Sequence, residues 1–340
     1  MTRDLGLHRL LAAGELDLPL PGSGRTAERH RRLLTIARRD VSIARLAEAH
    51  CDAVAILAEA GRSPEPGAVY GVWASESADR SLAVTRLSAG WMLHGSKSFC
   101  TGAGIVDRAL VTVTEPTSLL VDLDLRSAGS RATFDHSGWR AGAFRCTRTA
   151  TMTIHGVALN GDDVIGGPRF YLDRPGFWHG ACGPASCWAG GAIGLVDHAR
   201  EHAAGNPHAL AHVGAMIAAA WAMDALLAAA GDEIDNGTDS LQTSQTRALT
   251  VRHLVESHVT DIMARFGRAL GPRPLAFDDD IIDRMAEVQL YVRQVGGERD
   301  LEAIGASQRQ AVRPTTDEAP RGADPRPESV DVVTGRLPRS

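Results

Sequence analysis

A disulfide framework and a structural zinc site are both missing from this sequence. Its five cysteines (Cys51, Cys100, Cys146, Cys182 and Cys187) are odd in number and fall in no metal-ligand spacing, so reduced thiols are expected. The Cys182/Cys187 pair is read as two small buried hydrophobes in preference to a redox site. No long basic stripe interrupts the interleaved charges, and the formal net charge is −5. Nucleic acid is therefore not the expected partner. Residues Met1 to Arg9 carry charge and no apolar core, so no secretory signal is expected. The longest apolar stretch, Val213 to Ala230, is alanine-rich and broken by Asp224, which reads as a bundle helix and not a membrane span. Together these absences predict a cytoplasmic protein. There is no internal repeat. Nor does any strand open into a helix through a glycine-rich turn. Gly190-Gly191-Ala192-Ile193-Gly194 lies within a helical pattern, which predicts close helix packing in place of dinucleotide binding.

What is present divides into three zones and a tail. Residues 1–66 read as an N-terminal helical domain: Thr26 is the expected N-cap of a helix ending near Arg39. Asp40 caps a second helix that carries Ile43, Leu46, Val54 and Leu57 on one side and stops at Gly61. His50 falls on that side and reads as a packed core histidine. Residues 67–168 form a central β-domain. Its short runs are Tyr70–Ala74, Leu82–Leu87, Trp91–Phe99, Ala109–Thr114, Leu119–Leu123 and Thr149–Ile154, and turn residues separate them as in a mostly antiparallel barrel or sandwich. Residues 175–306 return to helical periodicity. Leu210, Val213, Ile217, Trp221 and Ala228 mark one stripe, and Val251, Val255, Ile262 and Phe266 another. Ile281, Met285, Val288, Val292 and Val295 mark a third, opened by Asp278 to Asp280. A C-terminal four-helix bundle is the expected packing. Residues 307–340 are rich in Pro, Arg, Asp and Thr, and read as a disordered tail. The fold class is α+β.

Three local segments give that order a more specific meaning. They are Trp73-Ala74-Ser75-Glu76-Ser77, the hairpin Gly90-Trp91-Met92-Leu93-His94-Gly95-Ser96-Lys97-Ser98-Phe99-Cys100-Thr101-Gly102-Ala103, and Ala189-Gly190-Gly191-Ala192-Ile193-Gly194. With Arg268-Ala269-Leu270-Gly271 and Tyr291-Val292-Arg293-Gln294, they resemble the acyl-CoA dehydrogenase family over roughly residues 5–305. The resemblance implies FAD as cofactor. Ser75 then takes the position near the flavin pyrimidine ring, and Ser81 the one that meets the pyrophosphate. Phe99 would pack by the isoalloxazine, and Thr101 would offer its hydroxyl to the N5 edge, where fixed donors tune a reduced flavin. It also implies a homodimer or tetramer, with a hetero-oligomer as a further arrangement.

The same resemblance exposes departures. Val292 occupies the position of the usual catalytic glutamate, and valine cannot take the α-proton of an acyl thioester. Lining up on Gly190-Gly191 puts Pro184 at the alternative base position. His179 is then the remaining polar candidate near the flavin. Ala204-Gly205-Asn206-Pro207-His208 replaces a segment that grips the neighbouring subunit's cofactor. Arg80 stands where the family has a glycine beside the phosphate-contacting serine. Three functions are compatible with this pattern. The first is FAD-dependent CH–CH oxidation of an acyl-CoA or carrier-bound acyl group, the second a non-catalytic partner subunit, and the third a flavin-dependent monooxygenase, which needs no α-proton base.

Overall fold

The computed structural model describes residues 6–77, 79–237 and 240–312. Helices come first: α1 (Leu7–Ala12), α2 (Thr26–Arg39) and α3 (Val41–Glu59). The Asp40 side chain accepts from the Ile43 N–H at 2.9 Å, which satisfies one of the orphan donors at the start of α3. Gly61, at φ +69°, closes its end, with the Arg62 N–H bonding Leu57 O at 2.8 Å. Thr26, expected as an N-cap, is instead the first residue within α2. A carboxylate from a distant helix does the capping: Asp235 accepts from the Thr26 N–H at 2.7 Å and from its hydroxyl at 2.6 Å. A full negative charge at a helix N-terminus is the stronger acceptor.

The chain then enters β1 (Tyr70–Trp73), β2 (Leu82–Arg86), β3 (Trp91–Cys100), β4 (Arg108–Val113) and β5 (Leu119–Asp124). A short α4 (Leu125–Ala128) precedes β6 (Ala132–Asp135), β7 (Ala150–Leu159) and β8 (Val164–Ile165). Two four-stranded sheets result, in the orders β1-β4-β5-β8 and β2-β3-β7-β6. All pairings are antiparallel except β1 with β4, where Tyr70 pairs with Arg108 in parallel. Lys97, the single lysine of the sequence, reaches from β3 in one sheet to Thr112 in the other. Its Nζ donates to the Thr112 carbonyl at 3.1 Å and to the hydroxyl at 2.9 Å. Burial pushes its pKa down, and its polar end is satisfied without a carboxylate.

Helices α5 (Phe170–Asp173), α6 (Gly176–Gly180), α7 (Cys182–His202), α8 (Pro207–Asn236) and α9 (Leu241–Leu270) follow, then α10 (Arg273–Phe277), α11 (Asp279–Tyr291) and α12 (Glu298–Val312). Packing of α7, α8 and α9 is completed by α2, from the other end of the chain. The glycines of α7 are the reason α2 and α11 come so close. A Cβ on Gly190 would lie 2.1 Å from Leu34 O, and one on Gly191 would lie 2.6 Å from Val288. This is helix packing within the chain, as the sequence pattern implied. Cys182 and Cys187 are buried, unbridged thiols on the same helix.

The stripe expected to bury α8 is the one point where the helical reading inverts. Val213 is buried with Met216, Met223, Leu227 and Ile234, whereas Leu210, Ile217 and Trp221 face outward, Trp221 at 74% exposure. A helix apolar on all sides gives periodicity no means of telling inside from outside. By length and composition α8 is also long and apolar enough to cross a membrane, with a third of that stretch buried. Helix α12 continues to Val312, into the segment expected as a tail. The rest of that tail, 313–340, lies outside the described residues.

Candidate functional site

Helix α3 is the hinge between the two halves of the molecule. Ala53, Ile56 and Leu57 pack on Tyr70, Leu110, Leu120 and Ile165 of the first sheet, while Leu46 and Ala47 join the main core. Arg45, Glu48, Ala49 and Asp52 recur at helical spacing on a third side. That side lines a cavity of about 650 Å³ closed by β1, the end of β3, α6, α7 and α11, well within the size range of small-molecule and cofactor sites.

Three of the four residues assigned to the flavin meet in this cavity: Ser75, Phe99 and Thr101. A bulge between Lys97 and Cys100 turns the strand there. Phe99 sits at φ +60° with its ring 55% exposed, an unusual backbone state that presents an aromatic face to the space. Trp73 Nε1 holds the Thr101 carbonyl at 2.8 Å, and the Thr101 hydroxyl meets that of Thr149 at 3.1 Å. Ser81 does not reach the cavity. Its hydroxyl donates to the Glu115 carboxylate at 3.2 Å, and Arg80 beside it bonds Thr151 at 2.8 Å.

Pro184 lines the cavity, and Val292 does not: it is fully buried, with its neighbours Tyr291, Arg293 and Gln294 forming the wall. His179 turns away toward α9, where its Nε2 lies 3.4 Å from the Ser244 hydroxyl. His50 is a core histidine. Its Nδ1 accepts from the Tyr70 N–H at 3.1 Å, and burial pushes it down to about 4. In the segment Ala204–His208, which replaces the family's cofactor-gripping segment, Asn206 caps α8 by accepting from the Ala209 N–H at 3.0 Å.

The charged groups of α3 were not anticipated as site residues. Arg45 donates to the Thr101 hydroxyl at 3.2 Å, and its guanidinium lies 4.4 Å from the Phe144 ring centroid, 5.6 Å from that of Trp139 and 5.8 Å from that of Tyr291. Among the described residues no carboxylate lies within ion-pair distance of Arg45, and cation–π contact is what holds this half-buried charge. Arg174 is enclosed as well, 2% exposed, and pairs with Asp52 at 3.7 Å and with Glu59. Its Nε and Asp52 Oδ1 remain without hydrogen-bond partners. Glu48 is pushed up to about 8, first by burial and then by the neighbouring Asp52. Glycines make room for these carboxyls. A Cβ on Gly183 would fall 2.8 Å from Glu48, one on Gly180 would fall 2.8 Å from Asp52, and one on Gly176 would fall 2.5 Å from Glu59.

A cavity of this kind offers an aromatic face, an oriented hydroxyl, an unpaired guanidinium and a neutral acid. A second cavity of about 550 Å³ lies between α8, α9 and Ser307. Its Glu233 and Arg247 are paired to each other at 2.8 Å, so it lacks that convergence.

No protein-family model matches the chain, and no curated protein matches it in sequence. Solved structures do match, in fold. The methanesulfinate monooxygenase MsuC from Pseudomonas fluorescens is 18% identical with a TM-score of 0.77, covering 92% of both chains. XiaF from Streptomyces sp., in complex with FADH2 and glycerol, is 15% identical with a TM-score of 0.73, covering 91% of this chain and 90% of that one. FMN-bound TdsC from Paenibacillus sp. A11-2 is 17% identical with a TM-score of 0.72, covering 91% of this chain and 89% of that one. The α+β fold expected from the acyl-CoA dehydrogenase resemblance is thus shared with solved structures that include an FMN-bound protein and one in complex with FADH2, and two of these proteins are named as monooxygenases.

Proposed function

We propose that this chain is a flavin-dependent monooxygenase that binds its flavin in the cavity between α3, β3 and α7. The observation that carries the reading is the meeting of Phe99, Thr101 and Ser75 at one wall, with no carboxylate at Val292 or Pro184. Oxidation of an acyl thioester, the first expectation, needs an ionised base at the reacting carbon. Oxygen transfer from a reduced flavin does not. The names of the structural relatives support the same choice.

The residues fit an isoalloxazine. Phe99 supplies a ring surface, Thr101 and Ser75 supply hydroxyls, and Arg45 supplies a positive charge beside Thr101. When bound, a reduced flavin supplies two electrons for the activation of dioxygen. This chain's own part is to orient the ring, to exclude bulk water, and to hold positive charge at Arg45 where negative charge develops. The Ser81–Glu115 pair places a carboxylate where a pyrophosphate was expected, a like charge that FMN and FAD would both have to meet. Exposed Leu210, Ile217 and Trp221 on α8 are the surface through which the chain would form a dimer or tetramer. Trp221→Glu should then yield a monomer by light scattering with an unchanged circular dichroism spectrum. A monomeric wild type removes that part of the proposal.

The main test mixes purified protein with FMN or FAD and follows flavin fluorescence. Reduced flavin, air enriched in ¹⁸O₂, and indole or methanesulfinate as probes are then supplied. Binding of either flavin, weakened at least tenfold by Phe99→Ala, and ¹⁸O in a product are expected. A folded protein that binds neither flavin excludes the reading.

A further inference from the structure

We infer that Glu48, presented by α3, is the group that holds and gives up a proton in this cavity, from a position that neither Val292 nor Pro184 can serve. The inference rests on the monooxygenase reading for its chemistry, but not for its geometry. Gly183 immediately precedes Pro184 on α7, and its missing side chain leaves the space that the Glu48 carboxyl fills, 2.8 Å from where a Cβ would stand. A carboxyl thus arrives from the opposite wall at the turn of α7 where the sequence offers only a proline ring.

Among the described residues Glu48 takes part in no hydrogen bond or ion pair, although four guanidinium groups lie around it, Arg45 on its own helix and Arg29, Arg174 and Arg252 from other parts of the chain. Each is committed elsewhere. Arg45 bonds Thr101 and stacks on aromatic rings, and Arg174 pairs with Asp52 and Glu59. Arg252, on α9, donates to the Ala181 carbonyl at 3.1 Å and to the Gln294 carbonyl at 2.7 Å. The other titratable groups that face it are Asp52 and Cys51 on its own helix, Tyr171 on α5, Cys187 on α7 and Tyr291 on α11. Arg29 is itself tied to the Pro19 carbonyl at 3.1 Å. Tyr291 and Cys187 are held neutral by burial. Burial first, and then the negative charge of Asp52, push the Glu48 carboxyl up to about 8, with no counterion of its own to offset them.

A neutral acid donates better than it abstracts, and oxygen transfer needs a donor. One atom of dioxygen goes to the substrate and the other leaves as water, with two electrons from the reduced flavin. That water needs two protons: one would come with the electrons from the reduced flavin, and the other from Glu48, whose O–H bond breaks as an O–H bond forms on the departing oxygen. Solvent then returns a proton to the carboxylate.

Infrared spectra of the protein without flavin, wild type minus Glu48→Gln, test the assignment directly from pH 5 to 10. A protonated carboxyl band belonging to Glu48 should persist at pH 7 and disappear with a midpoint near 8. A band already gone at pH 6 overturns the inference whatever the protein binds. In the second arm, Glu48→Gln with reduced FMN, air and the two probes should bind flavin within twofold of wild type. Its product yield per flavin oxidised should fall at least tenfold, with more hydrogen peroxide released and the alkaline limb of the pH profile flattened. Equal yield and an equal profile overturn the inference. Glu48→Asp, which keeps the acid but withdraws it from Gly183, serves if the glutamine variant does not fold, and is expected to retain a pH-dependent yield. A wild type that oxygenates nothing counts against the monooxygenase reading, while the infrared arm still decides Glu48.

Discussion

Helices α3 and α8 depart from the ordinary inside–outside arrangement in opposite senses. α3 carries Arg45, Glu48 and Asp52 into an enclosed space, whereas α8 carries Leu210, Ile217 and Trp221 out of one. Buried charge and exposed apolar surface are the two observations that ordinary burial does not account for. They demand different things of their neighbours. Inward charge needs room and partners, and both are supplied: Gly176, Gly180 and Gly183 stand opposite the three acids of α3, and Arg174 bridges two of them. Outward apolar groups need only a cover. Where the first kind of surface is built to atomic tolerance, the second is open, and substitutions should separate the two sharply.

The largest expected effect is on the tight side. Gly190→Ala puts a methyl group 2.1 Å from the Leu34 carbonyl oxygen. Backbone cannot yield as a side chain does, so α2 and α7 must move apart, at a cost of about 3 kcal/mol or more. Urea denaturation measures it, and a loss below about 1 kcal/mol means that the seam is looser than its geometry.

Next is the pH dependence that Glu48 imposes. Unfolded, its carboxyl ionises in the ordinary glutamate range; folded, it holds its proton up to about 8. The folded state therefore binds more protons between those limits, and its stability falls as pH rises through that window, levelling above it. Glu48→Gln removes this slope. The variant should match wild type near pH 4 and exceed it at pH 9, by on the order of 2–4 kcal/mol. Denaturant midpoints at pH 4, 7 and 9 decide it, and parallel curves would refute it.

The smallest effect belongs to the open side. Gly214 lies in mid-α8 with nothing within 4 Å of an added Cβ. Gly214→Ala should raise stability by about 0.5–1 kcal/mol through helix propensity alone, detectable as a small upward shift in Tm. A loss would mean that a neighbouring chain already occupies that face.

The same contrast explains what the sequence made legible. Period-2 runs located six of the eight strands, and Asp40 and Gly61 bounded α3 by capping chemistry that any chain must satisfy. The hairpin motif by itself marks Phe99 and Thr101, which the fold then brings to the cavity wall. Ala132–Asp135, with one buried residue in four, and the two-residue Val164–Ile165 carry no periodic signal, and alternation does not encode that β1 pairs in parallel with β4. The charged side of α3 escaped because Arg45, Glu48 and Asp52 at helical spacing look like any solvated face. Only the arrival of the sheet, α6 and α7 over that side turns it inward. The outward side of α8 escaped for the reverse reason, since alanine and leucine on every side leave no contrast to read.

Lys97, tied to Thr112 across the two sheets, has a practical consequence. Because the chain has no other lysine, every remaining side-chain cation fixed in charge is an arginine, and the one ε-amine is shut away between β3 and β4. Acylating reagents that seek amines can modify that residue only when the sheets part. The rate at which a mild N-hydroxysuccinimide ester marks Lys97 is thus a single-site gauge of opening in the domain that carries Phe99 and Thr101.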